Sequence, residues 1–264
     1  MTTTAADIGR SFDAPAQGYD ALMGRYLRTL GPAFADAAGV EAGQRVLDVG
    51  CGPGGLTGEL VARTGAARVC AIDPSEPFVQ ACRDRHPGVD VRVGVAEDMP
   101  FDAAAFDASL ACLVVGFMSD ASAGVGQMVR VTRPGGVVAA CFWDLPRMES
   151  LRLFWAGVAE LAGAPRGEVA RLGSQEGELH ALLARAGLSD VHEVTLEASA
   201  RYDDFADWWD PFTLGIGPAG VYYRSLDPDG QRALRQTCER RFPRADEPIT
   251  MTARAWCAVG RRSE

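Results

Sequence analysis

The 264-residue sequence predicts an α/β fold in which a mostly parallel sheet carries helices on both faces. Short apolar runs typical of strands alternate with segments whose apolar residues recur at helical spacing. A glycine-dense turn, Gly50 to Gly55, follows the apolar run Val46 to Val49 and leads into the helical segment Leu56 to Arg63. With 47% hydrophobic and 23% charged residues, the chain is long enough for one large domain with its own core.

The glycine-dense turn is typical of a loop that binds a nucleotide. Without side chains the loop backbone can approach a ligand closely, and the following helix presents its positive end. Gly50, Gly52 and Gly55 fit the pattern G-x-G-x-x-G, and Asp73 lies 18 residues after Gly55. That interval is close to the one at which dinucleotide enzymes place a ribose-binding carboxylate. The glycines alone therefore leave two cofactor classes open.

Asp48 separates these two classes. It lies two residues before the first glycine, where a carboxylate repels a pyrophosphate but attracts an ammonium group. S-adenosylmethionine carries an ammonium group and no phosphate. The stretch from Leu47 to Gly54 resembles the loop of the class I S-adenosylmethionine-dependent methyltransferases, and the resemblance continues nearly unbroken to Trp143. It implies a Rossmann-like, seven-stranded, mostly parallel sheet, S-adenosyl-L-methionine as the cofactor, and loop contacts from Asp48, Gly50, Cys51 and Gly52.

The segment Phe12 to Leu30 precedes the first strand and predicts an amphipathic helix that covers one face of the sheet. Its apolar residues at helical spacing are Tyr19, Leu22, Met23, Tyr26, Leu27 and Leu30. In relatives of this family, an N-terminal tyrosine and a nearby arginine can close over the methionine end of the cofactor. The resemblance therefore implies Tyr19 and Arg25 as cofactor contacts, and burial of the tyrosine in the core is the alternative.

The second predicted strand, Arg68 to Ile72, ends at Asp73, at the sheet edge where ligands bind. A carboxylate there can accept hydrogen bonds from both ribose hydroxyls, and Pro74 is expected beside it. Alternatively, the carboxylate caps a helix that begins near Ser75 to Pro77. The helix Phe78 to Arg85 then leads to the third strand.

The third strand, Val89 to Val95, is followed by an acid-rich segment that resembles the adenine-binding part of the family. Asp98 can accept a hydrogen bond from the exocyclic amine, and a main-chain amide near Met99 can reach a ring nitrogen. Glu97 belongs to the same predicted contact. A solvated turn is the alternative for such an acidic segment.

The fourth strand, Phe106 to Cys112, is apolar on both faces, as a central parallel strand should be. Its end is expected below the reaction centre, with Ala111 and Cys112 in backbone contact with the cofactor. The next unit comprises the helix Asp120 to Val131, the turn Arg133 to Gly136 and the strand Val137 to Trp143.

The segment after the fourth strand favours a small acceptor. It lacks the Asn- or Asp-Pro-Pro-aromatic signature of amino-methylating DNA enzymes, and a net charge of -9 provides no basic face for nucleic acid or anionic lipid. Many small-molecule relatives hold a histidine near the position of Gly116 and Phe117, where this chain has none. Because His86, His180 and His192 form no recognisable constellation, we name no catalytic base, and we find no metal-ligand pattern.

Beyond Trp143 the sequence predicts helices at Leu151 to Leu161 and Glu178 to Ala186, and strands at Val191 to Leu196 and Thr250 to Val259. The aromatic, glycine-rich stretch after Tyr202 is expected to form an aromatic lid over the acceptor, although a cluster that holds a long connection is the alternative. The predicted acceptor-pocket residues are Phe117, Trp208, Trp209, Phe212, Tyr222 and Tyr223.

One domain is expected over residues 1–264. It comprises an N-terminal helical cover at 1–40, a cofactor-binding core at 41–145, and insertions at 146–176 and 202–248 that form the lid and acceptor pocket.

The composition excludes several chemistries. All 26 basic residues are arginine, so no mechanism can use a lysine in a phosphate loop, a Schiff base or a short-chain dehydrogenase pair. The seven cysteines are scattered without a C-x-x-C pair, as in reduced cytosolic proteins. The first 20 residues lack the apolar core of a signal peptide, and the longest apolar run is too short to span a membrane. A cytoplasmic protein is therefore expected.

These observations predict transfer of a methyl group from S-adenosylmethionine to a small molecule with a hydroxyl, amine or carbon nucleophile. An NAD(P)-dependent oxidoreductase is the first alternative, and a non-catalytic cofactor-binding protein is the second. The sequence identifies neither the acceptor nor the oligomeric state.

Overall fold

The computed structural model describes residues 16–163, 167, 170–243 and 247–264. Its strands are β1 Val46–Val49, β2 Val69–Asp73, β3 Asp90–Val93, β4 Phe106–Cys112, β5 Thr132–Trp143, β6 Leu188–Tyr202 and β7 Ile249–Arg262. Its α-helices are α1 Ala16–Tyr19, α2 Arg25–Ala37, α3 Gly55–Thr64, α4 Glu76–Arg85, α5 Ala121–Val131, α6 Glu149–Ala162, α7 Glu178–Arg185, α8 Phe205–Thr213, α9 Gly217–Ser225 and α10 Pro228–Arg241. A π-helical turn, Asp20–Gly24, joins α1 to α2. Residues 12–15 of the first predicted helix lie outside the described part of the chain.

All seven strands belong to one sheet, in the order β3-β2-β1-β4-β5-β7-β6. Strands β1 to β5 are parallel, and β7 runs antiparallel to both of its neighbours, β5 and β6. The predicted seven-stranded, mostly parallel sheet is therefore confirmed. The chain order reverses between β1 and β4, and a crevice opens at such a point beyond the carboxyl ends of the strands. The glycine turn after β1 lies at this crevice.

Both faces of the sheet carry helices. Every residue of β1 and β2 is buried, as expected for parallel strands covered on both sides. One face packs against α2, α3, α6 and α8. These helices contribute Phe34, Leu60, Phe154 and Trp208, respectively, to the core. The other face packs against α5 and α7, which contribute Met128 and Leu182, respectively, to a second buried cluster.

The predicted turn Arg133 to Gly136 is part of β5 rather than a separate connection. Phe106 pairs with Thr132 and Ala108 pairs with Val137, so the extra residues of β5 form a bulge beside β4. A Cβ atom on Gly136 would lie 2.7 Å from the Asp107 carbonyl oxygen, which explains the glycine. Residues 133–135 of this bulge are exposed, and every residue of β5 after them is buried.

The aromatic stretch after Tyr202 folds into helices α8 and α9, and its side chains join the core. Trp208, Trp209 and Phe212 are at most 1% exposed. Phe212 stacks on Phe154 with ring centroids 4.7 Å apart, and the Trp208 indole N–H donates to Ser150 Oγ at 2.9 Å. The prediction that these three residues line an acceptor pocket is therefore wrong, because packing against α6 buries them.

No helix among the described residues is long and apolar enough to cross a membrane.

Replacing Trp208 tests this core assignment. Trp208→Ala should lower the free energy of unfolding by about 3–5 kcal/mol, because it removes a fully buried ring and leaves a cavity. Urea denaturation followed by circular dichroism would measure the change. Val221→Ala is the control, since Val221 is 55% exposed and its truncation should change stability by no more than about 0.5 kcal/mol. Equally small effects of both variants would contradict the assignment.

Candidate functional site

A cleft of about 770 Å³, including its solvent-filled mouth, opens at the carboxyl ends of β1, β2 and β4. Its wall combines the loop after β1 with the segments that follow β2, β3 and β4 and with the end of α1. The sequence-predicted residues that line it are Tyr19, Gly50, Gly52, Asp73, Pro74, Glu97, Cys112 and Phe117. Apolar side chains that sequence reasoning missed include Ile72, Phe78, Val95, Leu113, Val114 and Met118.

The glycine loop requires unusual backbone angles. Gly50 and Gly52 have φ values of +70° and +54°, a region that disfavours other residues. A Cβ at Gly50 would lie 2.3 Å from the Val114 side chain, whereas nothing lies within 4 Å of a Cβ at Gly52. The amides of Gly50 and Cys51 both donate to the Ile72 carbonyl, at 2.8 and 3.1 Å. The loop is therefore tied to β2, and its backbone at Gly52 stays open to a ligand.

His86 braces the second half of this loop. Its Nε2–H donates to the Gly54 carbonyl at 2.8 Å. A Cβ on Gly58 would lie 3.0 Å from the same ring. The ring thus holds the start of α3 against the end of α4, a structural role that the sequence did not reveal. His180 and His192 are exposed on α7 and β6.

Asp73 links the loop to the segment after β2. Its Oδ2 accepts from the Gly52 amide and its Oδ1 from the Ser75 amide, both at 2.9 Å. Only 7% of the residue is exposed, and this burial raises the pKa of its carboxyl to about 6. Each carboxylate oxygen can accept a second hydrogen bond. Asp73 can therefore hold two ligand hydroxyls while it fixes the loop.

Asp48 lies buried on β1, outside the lining of the cleft. Its Oδ2 accepts from Thr57 Oγ1 at 2.7 Å, and its Oδ1 has no hydrogen-bond partner. Burial raises the pKa of its carboxyl to about 7, although the Thr57 hydroxyl opposes that shift, and the charge of Asp73 raises it further. A buried, unpaired carboxylate oxygen is unfavourable. A nearby cationic group would stabilise its charged form.

The acid-rich segment after β3 places only one of its predicted contacts on the cleft. Glu97 Oε1 accepts from the amide and hydroxyl of Ser119 at 2.7 and 2.8 Å, and from the Asp120 amide at 3.1 Å. These bonds connect two walls of the cleft. Asp98 is exposed and Met99 is buried in the core, and neither side chain lines the cleft. The Asp98 carboxylate is therefore not brought to the cavity. The main-chain contact expected near Met99 stays a prediction.

Of the two contacts predicted from the N-terminal segment, Tyr19 lines the cleft and Arg25 does not. The Tyr19 ring lines the cleft and packs against Phe78 with centroids 5.6 Å apart, and burial raises the pKa of its phenol. Arg25 instead forms a two-pronged ion pair with Asp207, at 3.0 and 3.1 Å, and lies over the Tyr202 ring. It lines neither cavity. The structure therefore does not bring Arg25 to the cleft, because Asp207 on α8 pairs with it.

The remaining predicted cofactor contacts lie around the end of β4 and within the loop. Cys112 lines the cleft, whereas Ala111 and Cys51 are buried behind it. The Cys51 thiol donates to the Gly52 carbonyl at 3.4 Å. A backbone contact from Ala111 or Cys51 to a cofactor stays a prediction.

A second cavity, of about 640 Å³ including its open part, adjoins the first along Tyr19, Leu113 and Phe117. Leu113 adopts a φ of +63°, an uncommon value for a branched residue, and its amide donates to the Cys141 carbonyl at 2.9 Å. Other residues of this cavity are Leu22, Met23, Phe142, Trp143, Leu145, Leu151, Arg171, Ile216, Gly217 and Pro218. Tyr222 and Tyr223 line neither cavity and pack against Trp155 and Trp209. Phe117 is therefore the one predicted pocket aromatic that lines both.

The charge distribution of the cleft suits S-adenosylmethionine better than a dinucleotide. Within the described residues, no arginine or histidine lines the first cavity, so a diphosphate would meet carboxylates without a cation. The open backbone at Gly52 offers close approach to a ligand. Asp73 offers acceptors for hydroxyls, and the unpaired Oδ1 of Asp48 offers negative potential to an ammonium group. The residues present therefore fit this cofactor.

The chain is similar to known methyltransferases. A family profile described as a methyltransferase domain matches residues 47–140. The malonyl-[acyl-carrier protein] O-methyltransferase of Erwinia billingiae is 31% identical over 155 residues, which cover 59% of this chain and 61% of that protein. The demethylmenaquinone methyltransferase of Tropheryma whipplei is 36% identical over 149 residues, which cover 54% of this chain and 61% of that protein. The chain thus spans less than two thirds of the length of these relatives.

Solved structures show the same architecture. A candidate type II methyltransferase from Anaeromyxobacter dehalogenans superposes with a TM-score of 0.62 at 24% identity. The superposition covers 89% of this chain and 96% of the other. This likeness supports the fold over most of the chain.

Asp73→Ala tests whether Asp73 contacts a cofactor bound in the first cavity. The variant should bind S-adenosylhomocysteine more weakly by about 1–3 kcal/mol, because hydroxyl acceptors are lost and two loop amides lose their partner. Isothermal titration calorimetry would measure the affinity, with thermal unfolding as a check on folding. Asp102→Ala is the control, since Asp102 is exposed and lines neither cavity. Unchanged affinity in Asp73→Ala would remove Asp73 from the site.

Proposed function

We propose that the chain is a class I S-adenosylmethionine-dependent methyltransferase that transfers a methyl group from this cofactor to a small-molecule acceptor. The observation that carries the proposal is the pair of adjoining cavities that share Tyr19, Leu113 and Phe117. The first fits a nucleoside with an ammonium-bearing tail, and the second is predominantly apolar. A methyl donor and an acceptor in adjoining cavities can be aligned for direct displacement.

We infer that the loop and the two buried carboxylates hold the cofactor. When bound, S-adenosylmethionine supplies an electrophilic methyl group on a sulfonium sulfur. Asp73 accepts from the ribose hydroxyls, and Gly50 and Gly52 allow backbone contact because they carry no side chain. Asp48 contributes negative charge from below the loop, towards the ammonium end. Glu97 keeps the wall after β3 joined to the segment after β4.

The residues shared by the two cavities would orient the acceptor and exclude water. Tyr19, Leu113 and Phe117 are large side chains at the junction, so they limit the positions that an acceptor can take. Alignment of two reactants can contribute as much as about 7–11 kcal/mol to lowering a barrier. We therefore attribute most of the proposed acceleration to positioning.

No side chain in the described lining is well suited to act as a general base. No histidine lines either cavity. The pKa of the Tyr19 phenol is raised by burial, so the group stays protonated near neutral pH. Asp73 and Glu97 are already occupied by backbone amides. The proposal accordingly assigns no catalytic base, and an acceptor whose nucleophile is already deprotonated or carries a free lone pair suits the site.

Two other functions share parts of this site. An NAD(P)-dependent oxidoreductase would need to place a diphosphate at the glycine loop, and the buried carboxylates there disfavour it. A non-catalytic cofactor-binding protein would have the same cleft, so turnover alone separates it from an enzyme. The apolar second cavity beside the nucleoside site favours the enzyme.

We also propose that the protein acts in the cytoplasm on a soluble acceptor, without nucleic acid or membrane as a partner. All seven cysteines are free thiols, six of them buried, which suits a reducing compartment. The net charge of -9 disfavours polyanionic partners.

Turnover is the direct test of the proposed function. The purified chain, incubated with S-adenosylmethionine and a small-molecule metabolite extract, should form S-adenosylhomocysteine faster than the chain without extract. Mass spectrometry would quantify this product and identify the methylated acceptor. Tight binding of NAD(H) with no binding of S-adenosylmethionine would support the oxidoreductase instead. Cofactor binding without turnover in a broad range of extracts would support the non-catalytic alternative.

A further inference from the structure

Among the described residues, the second cavity is lined by one charged side chain in a mostly apolar wall. Its described lining includes Leu22, Met23, Phe142, Leu151 and Ile216, and Arg171 supplies the charge. A guanidinium in such a wall can determine which ligand binds, because apolar pockets obtain their selectivity from a few precisely placed polar groups. Sequence reasoning missed Arg171, which lies in a stretch without a recognisable motif.

Most hydrogen-bond donors of Arg171 have no partner among the residues that the structure describes. Its Nη1 donates to the Gly116 carbonyl at 3.3 Å, and its guanidinium lies over the Phe117 ring, 4.4 Å from the centroid. A guanidinium has five N–H donors, so one bond leaves most of them free. No carboxylate within the described part of the chain forms an ion pair with it. The guanidinium therefore packs on an aromatic ring on one side and has no anionic partner within the described ranges.

The backbone at Arg171 is held firmly. The Ser174 hydroxyl donates to the Arg171 carbonyl at 2.6 Å and accepts from the Arg171 amide at 3.2 Å. Glu178 Oε2 accepts from the Gly173 amide at 2.8 Å and thereby joins this turn to α7. A Cβ on Gly116 would lie 2.9 Å from the Arg171 Cβ, so the turn packs closely on the segment after β4. The Arg171 side chain therefore enters the cavity wall from a turn whose backbone is fixed by hydrogen bonds.

We propose that the acceptor is an apolar molecule with a carboxylate group, and that Arg171 binds this carboxylate. This inference rests on the proposed function, since it identifies the acceptor class of the same site. A planar guanidinium pairs with a carboxylate through two parallel hydrogen bonds, and the pair is strengthened in a poorly hydrated wall. Phe117 contacts Arg171 and also lines both cavities, so the bound carboxylate lies near the junction. The apolar residues of the cavity hold the rest of the acceptor.

A pair of nearly isosteric probes tests the proposal without turnover. The wild-type protein should bind 2-naphthoate about tenfold or more tightly than the neutral 2-naphthamide, and this preference should weaken with added salt. Arg171→Gln should lose most of the preference by weakening 2-naphthoate alone, and Arg171→Lys should keep part of it. Arg185→Gln is the matched control, because Arg185 is exposed on α7 and lines neither cavity. Calorimetric titration would give the affinities.

The outcomes separate this inference from the proposed function. Undetectable binding of 2-naphthoate, equal affinities for the two probes, or equal weakening of both probes in Arg171→Gln would overturn the role of Arg171. S-adenosylhomocysteine should bind with unchanged affinity to Arg171→Gln, which also shows that the variant is folded. If the wild type binds no S-adenosylhomocysteine, the proposed function fails whatever the probes show.

Discussion

Two buried carboxylates beneath a glycine loop are the constraint on which the site depends. Asp48 is fully buried and Asp73 is 7% exposed. Burial raises the pKa of these groups to about 7 and about 6, above the ordinary value of 3.8. The folded state therefore binds more protons than the unfolded state between about pH 4 and 7, and their contribution to stability falls as pH rises through that window. A bound ammonium group would offset this effect. The arrangement is thus favourable for a cationic ligand and unfavourable for a diphosphate.

Hydrogen bonds join the four segments that follow β1, β2, β3 and β4 into one wall. Ile72 holds the glycine loop, Asp73 connects that loop to the start of α4, and Glu97 connects the segment after β3 to the start of α5. The cavity is consequently shaped before a ligand arrives. The second cavity is built differently, because Tyr19 comes from the N-terminal helix and Arg171 from a turn before α7. Tyr19 and Arg171 therefore come from outside the nucleotide-binding half, whereas Leu113 and Phe117 follow β4 within it.

The parts of the fold and site that could be predicted from the sequence are those that depend on residues close together in the chain. The strand, glycine loop and helix follow from short-range patterns, and Asp73 follows from its spacing to the loop. The position of Arg25 could not be predicted, because its partner, Asp207, lies 182 residues away and no local pattern reveals the pair. Aromatic richness around Trp208 fits a core as well as a pocket, and only its packing against α6 decides. Arg171 was missed because its position depends on contacts between its turn and the distant segment after β4.

The protonation of Asp48 gives the most direct measurement of this arrangement. At about pH 6.5 the free protein should hold a proton on much of its Asp48, and a bound ammonium group should lower the pKa of that carboxyl. Calorimetric titration with S-adenosylhomocysteine in buffers of different ionisation enthalpy should therefore show release of roughly half a proton per bound ligand. The release should be smaller in Asp48→Asn. No proton exchange, or proton uptake, in the wild-type protein would contradict the proposal that a buried carboxylate pair receives the ammonium end of the cofactor.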